Sequence, residues 1–190
     1  EKKNFFQLGI DFSPVTFSLK GLFEGSICYA GYGITASSLE YDDYSKLNAE
    51  NKFVLVSRYG PEGNQPHKKF SKYHALRFKA KTARENGAKG IIFIDDSNDF
   101  LKSSLSKLTS DQSFSNSGIA ALAISRRVAK KIFKQLNLNL DDLEQAAKEG
   151  TGTSKNLPGI HLKVQIDLIK ESSSASNVIG LIKGSGSLSE

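Results

Sequence analysis

The stretch GIIFID, residues 90–95, predicts a central strand of a parallel sheet, because such a near-continuous apolar run is typical of a strand buried on both faces. A second run of this kind, FVLVS (Phe53–Ser57), lies upstream and continues into RYGPEGNQP, whose Gly and Pro residues indicate a loop. Between the two runs, apolar residues recur at steps of three and four from residue 70 to an Asn-Gly stop at 86–87. Residues 53–95 therefore predict a strand, a helix and a strand with a right-handed crossover.

The pattern continues downstream of this unit. IAALAIS, residues 119–125, predicts another buried strand, and its final Ser125 is placed to cap a helix. That helix would present one apolar face, formed by Val128, Ala129, Ile132, Phe133 and Leu136. Residues 96–118 are rich in Ser, Asn and Asp and predict a long surface loop, and residues 140–147 predict a short helix.

Further strands are predicted near both ends. Residues 159–169 (GIHLKVQIDLI) alternate apolar with polar side chains, which indicates a half-exposed antiparallel strand. Residues 177–184 (NVIGLIKG) predict one more strand, and residues 15–34 predict two strands around a turn at 21–25. Because the sequence shows no repeat and no internal linker, residues 1–190 are predicted to form a single domain of mixed α/β class, with a parallel βαβ core, additional antiparallel strands and flanking helices.

Composition narrows the class of protein. The 190 residues carry a net charge of +6, and no apolar run approaches the ~20 residues that a membrane span needs. The basic residues concentrate at 68–89 and 126–134, where they are expected to form solvated helix faces, and no base-reading motif accompanies them, so a nucleic-acid partner is disfavoured. The chain starts at Glu1 without an apolar signal region, which predicts a mature or excised segment.

Histidine and cysteine do not predict a metal site. The three histidines, His67, His74 and His161, are far apart in sequence, which excludes a ligand pair at helical or short-loop spacing and favours surface positions. Cys28 lies in an apolar strand-like stretch without a basic neighbour, so it is interpreted as a small core residue.

Two adjacent carboxylates, Asp42 and Asp43, end the stretch YAGYGITASSLEYDDY. Neighbouring residues of an extended segment point to opposite sides, so these side chains cannot easily share a catalytic or calcium site. We favour the alternative in which both accept backbone N–H groups in a turn, while Tyr41 and Tyr44 anchor that turn to the sheet.

Arg58 stands at a position where ligands commonly bind. It directly follows the Phe53–Ser57 strand and opens a Gly- and Pro-rich loop, at the carboxyl end of a parallel strand. Its planar donor fork suits a carboxylate. Position alone also allows an ion pair with a nearby Asp, and it favours that alternative.

Taken in order, YAGYGI, YDDY, NKFVLVSRYGP, ARENGAKGIIFIDD, IAALAIS and NVIGLIKG resemble the protease-associated (PA) domain. The resemblance covers residues 25–184 and is closest to the PA domain inserted in zinc aminopeptidases related to glutamate carboxypeptidase and the transferrin receptor. Two departures are Asn51-Lys52, where the family usually has Gly-Lys, and Ala120-Ala121, where Ile-Pro or Pro-Val is frequent.

The resemblance implies a swivelling β/β/α fold and a non-catalytic segment of a secreted, periplasmic or cell-surface metallopeptidase. Such a domain contacts peptide or protein, meets the catalytic domain and shapes substrate access. No cofactor is expected in this segment, and zinc is expected in the catalytic domain of the parent. The alternative is a basic module that recognises acidic polymers through its Lys- and Arg-rich helices.

The resemblance also assigns residues. In the glutamate-carboxypeptidase branch the arginine of the matching RYG reaches the substrate carboxylate, which implies Arg58, with Tyr59 beside it, as a substrate-binding position. This raises the ligand alternative for Arg58 to the level of the ion pair. The matching structural motif consists of Gly31, Gly33, Tyr41, Asp42, Asp43 and Tyr44.

Overall fold

The structure, a computed structural model, describes residues 5–108, 116–149, 154–169 and 180. In these residues the strands are β1 (Phe12–Pro14), β2 (Gly21–Tyr29), β3 (Thr35–Ala36), β4 (Tyr41–Asp42), β5 (Phe53–Ser57), β6 (Gly90–Ile94), β7 (Ala120–Ile124) and β8 (Lys155–Ile166). The α-helices of the same part of the chain are α1 (Leu76–Glu85), α2 (Arg126–Gln135) and α3 (Leu140–Lys148).

Six of these strands form one mixed sheet in the order β1-β7-β6-β5-β2-β8. The four inner strands run parallel, whereas β1 and β8 pair antiparallel at the two edges. β3 and β4 make a separate two-stranded ribbon. The mixed α/β class is confirmed, and β5, α1 and β6 form the predicted strand–helix–strand unit.

The core consists of an apolar layer on each face of the sheet. Side chains of β5 alternate between them: Val54 and Val56 pack in the layer that contains α1, whereas Phe53 and Leu55 pack with α2 and α3. Because β5, β6 and β7 are buried along their whole length, the near-continuous apolar runs are explained. Gly90 is required where β6 begins, since a Cβ there would lie 2.6 Å from the Phe53 ring.

The later elements follow the sequence pattern closely. Ser125 caps α2, its Oγ accepting a hydrogen bond from the Val128 N–H, as predicted. α3 matches the short helix predicted for residues 140–147. The alternating strand is confirmed as β8, which begins at Lys155, earlier than predicted, and pairs antiparallel with β2.

The prediction for residues 15–34 is wrong. β2 runs unbroken from Gly21 through Gly25 to Tyr29, and the preceding strand, β1, ends before Val15. Gly25 marks a close approach of two backbones rather than a turn, because a Cβ at this position would lie 3.1 Å from the Asn51 carbonyl oxygen.

Two other segments differ from their predictions. The helix expected from residue 70 starts at Leu76, because Ala75 is extended (φ −59°, ψ 126°) and follows a separate 3-10 turn at Ser71–Tyr73. The predicted surface loop contains two 3-10 helices whose Phe100 and Leu105 are buried, so it contributes to the core. The strand predicted for residues 177–184 lies outside the described residues, except for Gly180.

Candidate functional site

Arg58 lies where the carboxyl ends of β5 and β6 meet. Its Nη1 donates to Asp95 Oδ1 and to Ser103 Oγ, each at 3.2 Å, and its Nη2 donates to Ser104 Oγ at 2.6 Å. Asp95 directly follows β6, and the two serines come from the 3-10 segment that sequence reasoning treated as a plain loop. The ion pair that Arg58's position favoured is therefore formed.

The Tyr59 ring packs against the Arg58 guanidinium. The Arg58 guanidinium carbon lies 4.7 Å from the centre of the Tyr59 ring, and this ring meets the His74 imidazole edge-on at 5.8 Å. Tyr59 adopts a left-handed backbone (φ +60°), which is uncommon for a residue of this size. The turn after β5 is thus shaped around the guanidinium.

The charge of Arg58 is offset locally. Asp95 is fully buried, and Asp96 Oδ1 lies 3.7 Å from Arg58 Nη1. Burial raises the pKa of Asp95, while hydrogen bonding from Ser103 and the charge of Arg58 act against that rise. Its Oδ2 has no hydrogen-bond partner among the described residues. The Arg58 side chain remains 15% exposed.

Asp43 closes the turn between β2 and β3. Its Oδ2 accepts the backbone N–H groups of Tyr32 (3.1 Å) and Ile34 (3.0 Å), and its Oδ1 accepts the Tyr41 hydroxyl (3.0 Å). Burial raises the pKa of Asp43 to about 6, although these hydrogen bonds favour the charged form. Asp43 thus organises the backbone around it.

Asp42 faces different partners, so the two carboxylates do not share a site. Its Oδ1 accepts the Thr35 hydroxyl at 2.8 Å and the Tyr44 N–H at 2.9 Å. Tyr44 is buried in the same apolar layer as Val54. These hydrogen bonds confirm that both carboxylates accept backbone N–H groups, and Tyr44 anchors the turn to the sheet as predicted. The Tyr41 ring instead packs edge-on against Phe70, with ring centres 5.0 Å apart.

Gly31 and Gly33 adopt backbone conformations in this turn that favour glycine. Both have positive φ, +49° and +67°. A Cβ on Gly31 would lie 2.6 Å from Asp43 Oδ1, and one on Gly33 would lie 2.7 Å from Val56 Cγ1. The two glycines therefore let the chain wrap the Asp43 carboxylate.

Lys79 is the residue that sequence reasoning missed. The sequence predicts a solvated basic face for this residue, and that prediction is wrong, because the Lys79 side chain is fully buried. Its Nζ donates to the carbonyl oxygens of Ser57 (2.9 Å) and Tyr59 (2.5 Å). Burial lowers the pKa of Lys79 to about 7, although the charge of Asp43 raises it. Helical spacing offered a signal, since residue 79 follows Leu76 by three on the apolar side of α1.

The histidines occupy unlike environments. His67 and His161 are exposed, whereas His74 is half-buried with an Nε2 that has no partner among the described residues. Within the described ranges, no group of three or more His, Cys, Asp or Glu side chains could hold a metal ion. No described helix is both long and apolar enough to cross a membrane.

Cys28 is confirmed as a core residue and is fully buried. Burial raises the pKa of its thiol to about 11. We therefore expect less than about a tenth of the protein to react with a disulfide reagent such as DTNB at pH 8 within minutes, because the reactive thiolate is scarce and inaccessible. Absorbance at 412 nm measures this reaction, and the same sample in 6 M guanidinium serves as the control. Equally fast labelling of native protein would contradict the burial of Cys28.

Comparisons with known proteins identify one family for this chain. The model of the family described as "PA domain" matches residues 15–132. Among solved structures, the aminopeptidase from Aneurinibacillus sp. strain AM-1 is similar at 21% identity and a TM-score of 0.43, covering 67% of this chain and 25% of that chain. The present chain thus spans about a quarter of the length of that aminopeptidase. No curated protein matched the sequence.

Proposed function

The chain belongs to the PA domain family, and from this premise we propose that it is a non-catalytic domain of a zinc-dependent aminopeptidase or related peptidase. In this role it contacts peptide or protein and shapes the access of substrate to the active site. The observation that carries the proposal is the Arg58 guanidinium, held at the carboxyl edge of the sheet by Asp95, Ser103 and Ser104. The motif series from YAGYGI to IAALAIS supports the peptidase branch of the family.

Arg58 keeps donor capacity for a ligand. A guanidinium has five N–H donors, and the contacts with Asp95, Ser103 and Ser104 engage three of them. Because those contacts and the Tyr59 ring already fix the side chain, little conformational entropy is lost when a ligand binds. An acceptor oxygen that approaches the exposed part of Arg58 would therefore meet an oriented donor.

The charges around Arg58 limit what this donor can do alone. Asp95 and Asp96 offset its positive charge, so the cluster attracts an anionic ligand only weakly. Its main effect on a ligand is to orient it through the fixed N–H donors of Arg58. We therefore assign Arg58 the role of orienting a substrate carboxylate or carbonyl oxygen, while the catalytic domain supplies most of the affinity. Partners in this proposal are the substrate and that domain.

The chemistry itself is assigned to the parent protein. The zinc would be held by its catalytic domain, and a secreted, periplasmic or cell-surface location follows from the family resemblance. In related peptidases NVIG precedes the strand that leads to the first zinc-binding His-x-Asp. The reading frame downstream of Glu190 tests this assignment: a His-x-Asp motif is expected, and its absence from the full frame would remove the peptidase branch.

Arg58→Lys in the full-length protein tests the substrate role. Lysine retains a charge beside Asp95 but loses the planar fork, so we expect KM to rise about tenfold for a peptide that ends in a free carboxylate, as for loss of a charged hydrogen bond. The C-terminal amide of the same peptide should show a much smaller change. Steady-state kinetics with both peptides provides the measurement, and Arg84→Lys, on the exposed side of α1, provides the control. Unchanged kinetics would remove Arg58 from the site.

The polyanion alternative is weaker than the sequence indicated. Lys79 is buried, Arg126 pairs with Asp141 and Glu144, and Lys130 also pairs with Asp141. The helices therefore present fewer unpaired cations than their composition indicates. Absence of retention on a polyanion column at low salt would exclude this function.

A further inference from the structure

Lys79 is the one buried lysine among the described residues, and its contacts are specific. Its ammonium donates to the carbonyl oxygens of Ser57 and Tyr59, the residues on either side of Arg58. The helix α1 thus reaches across the apolar layer to hold the turn from which Arg58 projects. A buried amine could be satisfied in many ways, but these two bonds fix one short piece of backbone.

The turn held by Lys79 has a conformation that needs support. The left-handed backbone of Tyr59 costs on the order of 1 kcal/mol for a residue other than glycine. The same conformation brings the Tyr59 ring under the Arg58 guanidinium, while Arg58 reaches Asp95 on the neighbouring strand. A charged donor on the Tyr59 carbonyl oxygen offsets this cost, because charge-assisted hydrogen bonds are roughly twice as strong as neutral ones.

We propose that Lys79 is a positioning residue for Arg58. The protonated Lys79 amine holds residues 57–59 in the conformation that orients the Arg58 guanidinium, and the neutral amine holds that conformation less firmly. The consequence for substrate rests on the function proposed above for Arg58. The coupling between Lys79 and the turn is a property of this chain and can be measured without any substrate.

Charged and titratable groups from several elements face Lys79. Asp43, from the turn after β4, favours the ammonium, whereas burial and the charge of Arg58 disfavour it and bring the pKa of Lys79 to about 7. The Tyr32 ring lies 5.9 Å from its Nζ, and the pKa of His74 is lowered by burial and by Lys79. A transition near pH 7 in the turn must therefore be separated from Asp43, which titrates near pH 6, and from His74.

The test is an NMR titration of the whole chain between pH 5.5 and 9. In the wild type, the amide signals of Arg58 and Tyr59 are expected to move together with the Lys79 Cε signal, with one midpoint near 7. Asp43→Asn should shift this midpoint to lower pH, because it removes the charge that favours the ammonium. Lys81→Met changes an exposed lysine of the same helix and should leave the midpoint in place.

Lys79→Met completes the test. It should abolish the shared transition while His74 still titrates, which a merely space-filling role for Lys79 would not produce. If the amide chemical shifts of Arg58 and Tyr59 do not change as Lys79 titrates in the wild type, the proposal is overturned, even if the variant fails to fold. Persistence of the transition in Lys79→Met would also overturn it. Kinetics of Arg58→Lys address the substrate role separately, so the two proposals can fail independently.

Discussion

Asp43→Ala is expected to lower the free energy of unfolding by about 3 kcal/mol. A buried N–H group left without an acceptor costs about 1–3 kcal/mol, and this substitution removes the acceptor of two such groups. These are the N–H groups of Tyr32 and Ile34, which Asp43 Oδ2 accepts. Asp42→Ala is the matched control: its carboxylate is exposed, and its loss should cost about 1 kcal/mol. Urea denaturation of both variants measures the difference, and equal losses would refute the assigned role of Asp43.

The loss at Asp43 should depend on pH. The folded state raises the pKa of this carboxyl from 3.8 to about 6, so its stabilising contribution is fully present below pH 3.8 and declines as pH rises through 6. Asp43→Ala should therefore cost more at pH 4 than at pH 7. A cost that grows with pH would mean that the native carboxyl ionises more easily than its burial implies.

Arg58→Met is expected to destabilise the fold by about 3 kcal/mol, because it leaves the buried Asp95 without its cation. In an Asp95→Asn background the same substitution should cost about 1 kcal/mol, since the remaining carboxylate beside Arg58, that of Asp96, is exposed and no buried charge is left uncompensated. Denaturation of the four proteins in this cycle isolates the coupling between the two side chains. If Arg58→Met costs the same in both backgrounds, the ion pair does not stabilise the fold.

This cycle also bears on function. Truncation of Arg58 changes folding as well as any contact with substrate, so a loss of activity after truncation would not separate the two. Arg58→Lys is the sharper variant for kinetics, because it keeps a cation beside Asp95. Denaturation of Arg58→Met then measures the ion pair with Asp95, and kinetics of Arg58→Lys measures the contact with substrate.

The sequence predicted elements whose burial pattern is uniform. β5 and β6 have every side chain buried, so the apolar runs at Phe53–Ser57 and residues 90–95 marked them clearly, and Ser125 marked the start of α2. The prediction for residues 15–34 placed a turn at 21–25 because glycine, here Gly25, is a common turn residue. The structure instead requires glycine at position 25 because the Asn51 carbonyl oxygen lies close by. Asn51 belongs to another segment, so the local sequence gives no signal of this contact.

The site was predictable in part for a similar reason. Arg58 could be located because it follows a buried strand, whereas Tyr59 was implied only by the family resemblance. The Asp42–Asp43 geometry follows from the alternation of an extended chain. Lys79 was assigned by charge, and charge alone does not show that two backbone carbonyl oxygens would satisfy a buried amine. Ser103 and Ser104, whose hydroxyl oxygens accept hydrogen bonds from Arg58, come from a segment with little periodicity. Only the folded chain brings them to Arg58.

The antiparallel pairing of β2 with β8 has a consequence for synthesis on the ribosome. β2 is complete at Tyr29, but its partner begins at Lys155 and ends at Ile166. At about 5–20 residues per second, translation leaves that side of β2 without β8 for on the order of 10 s. During this interval an exposed strand edge can pair with another nascent chain. A chaperone that shields the emerging N-terminal half should therefore raise the yield of native protein more than one added after release.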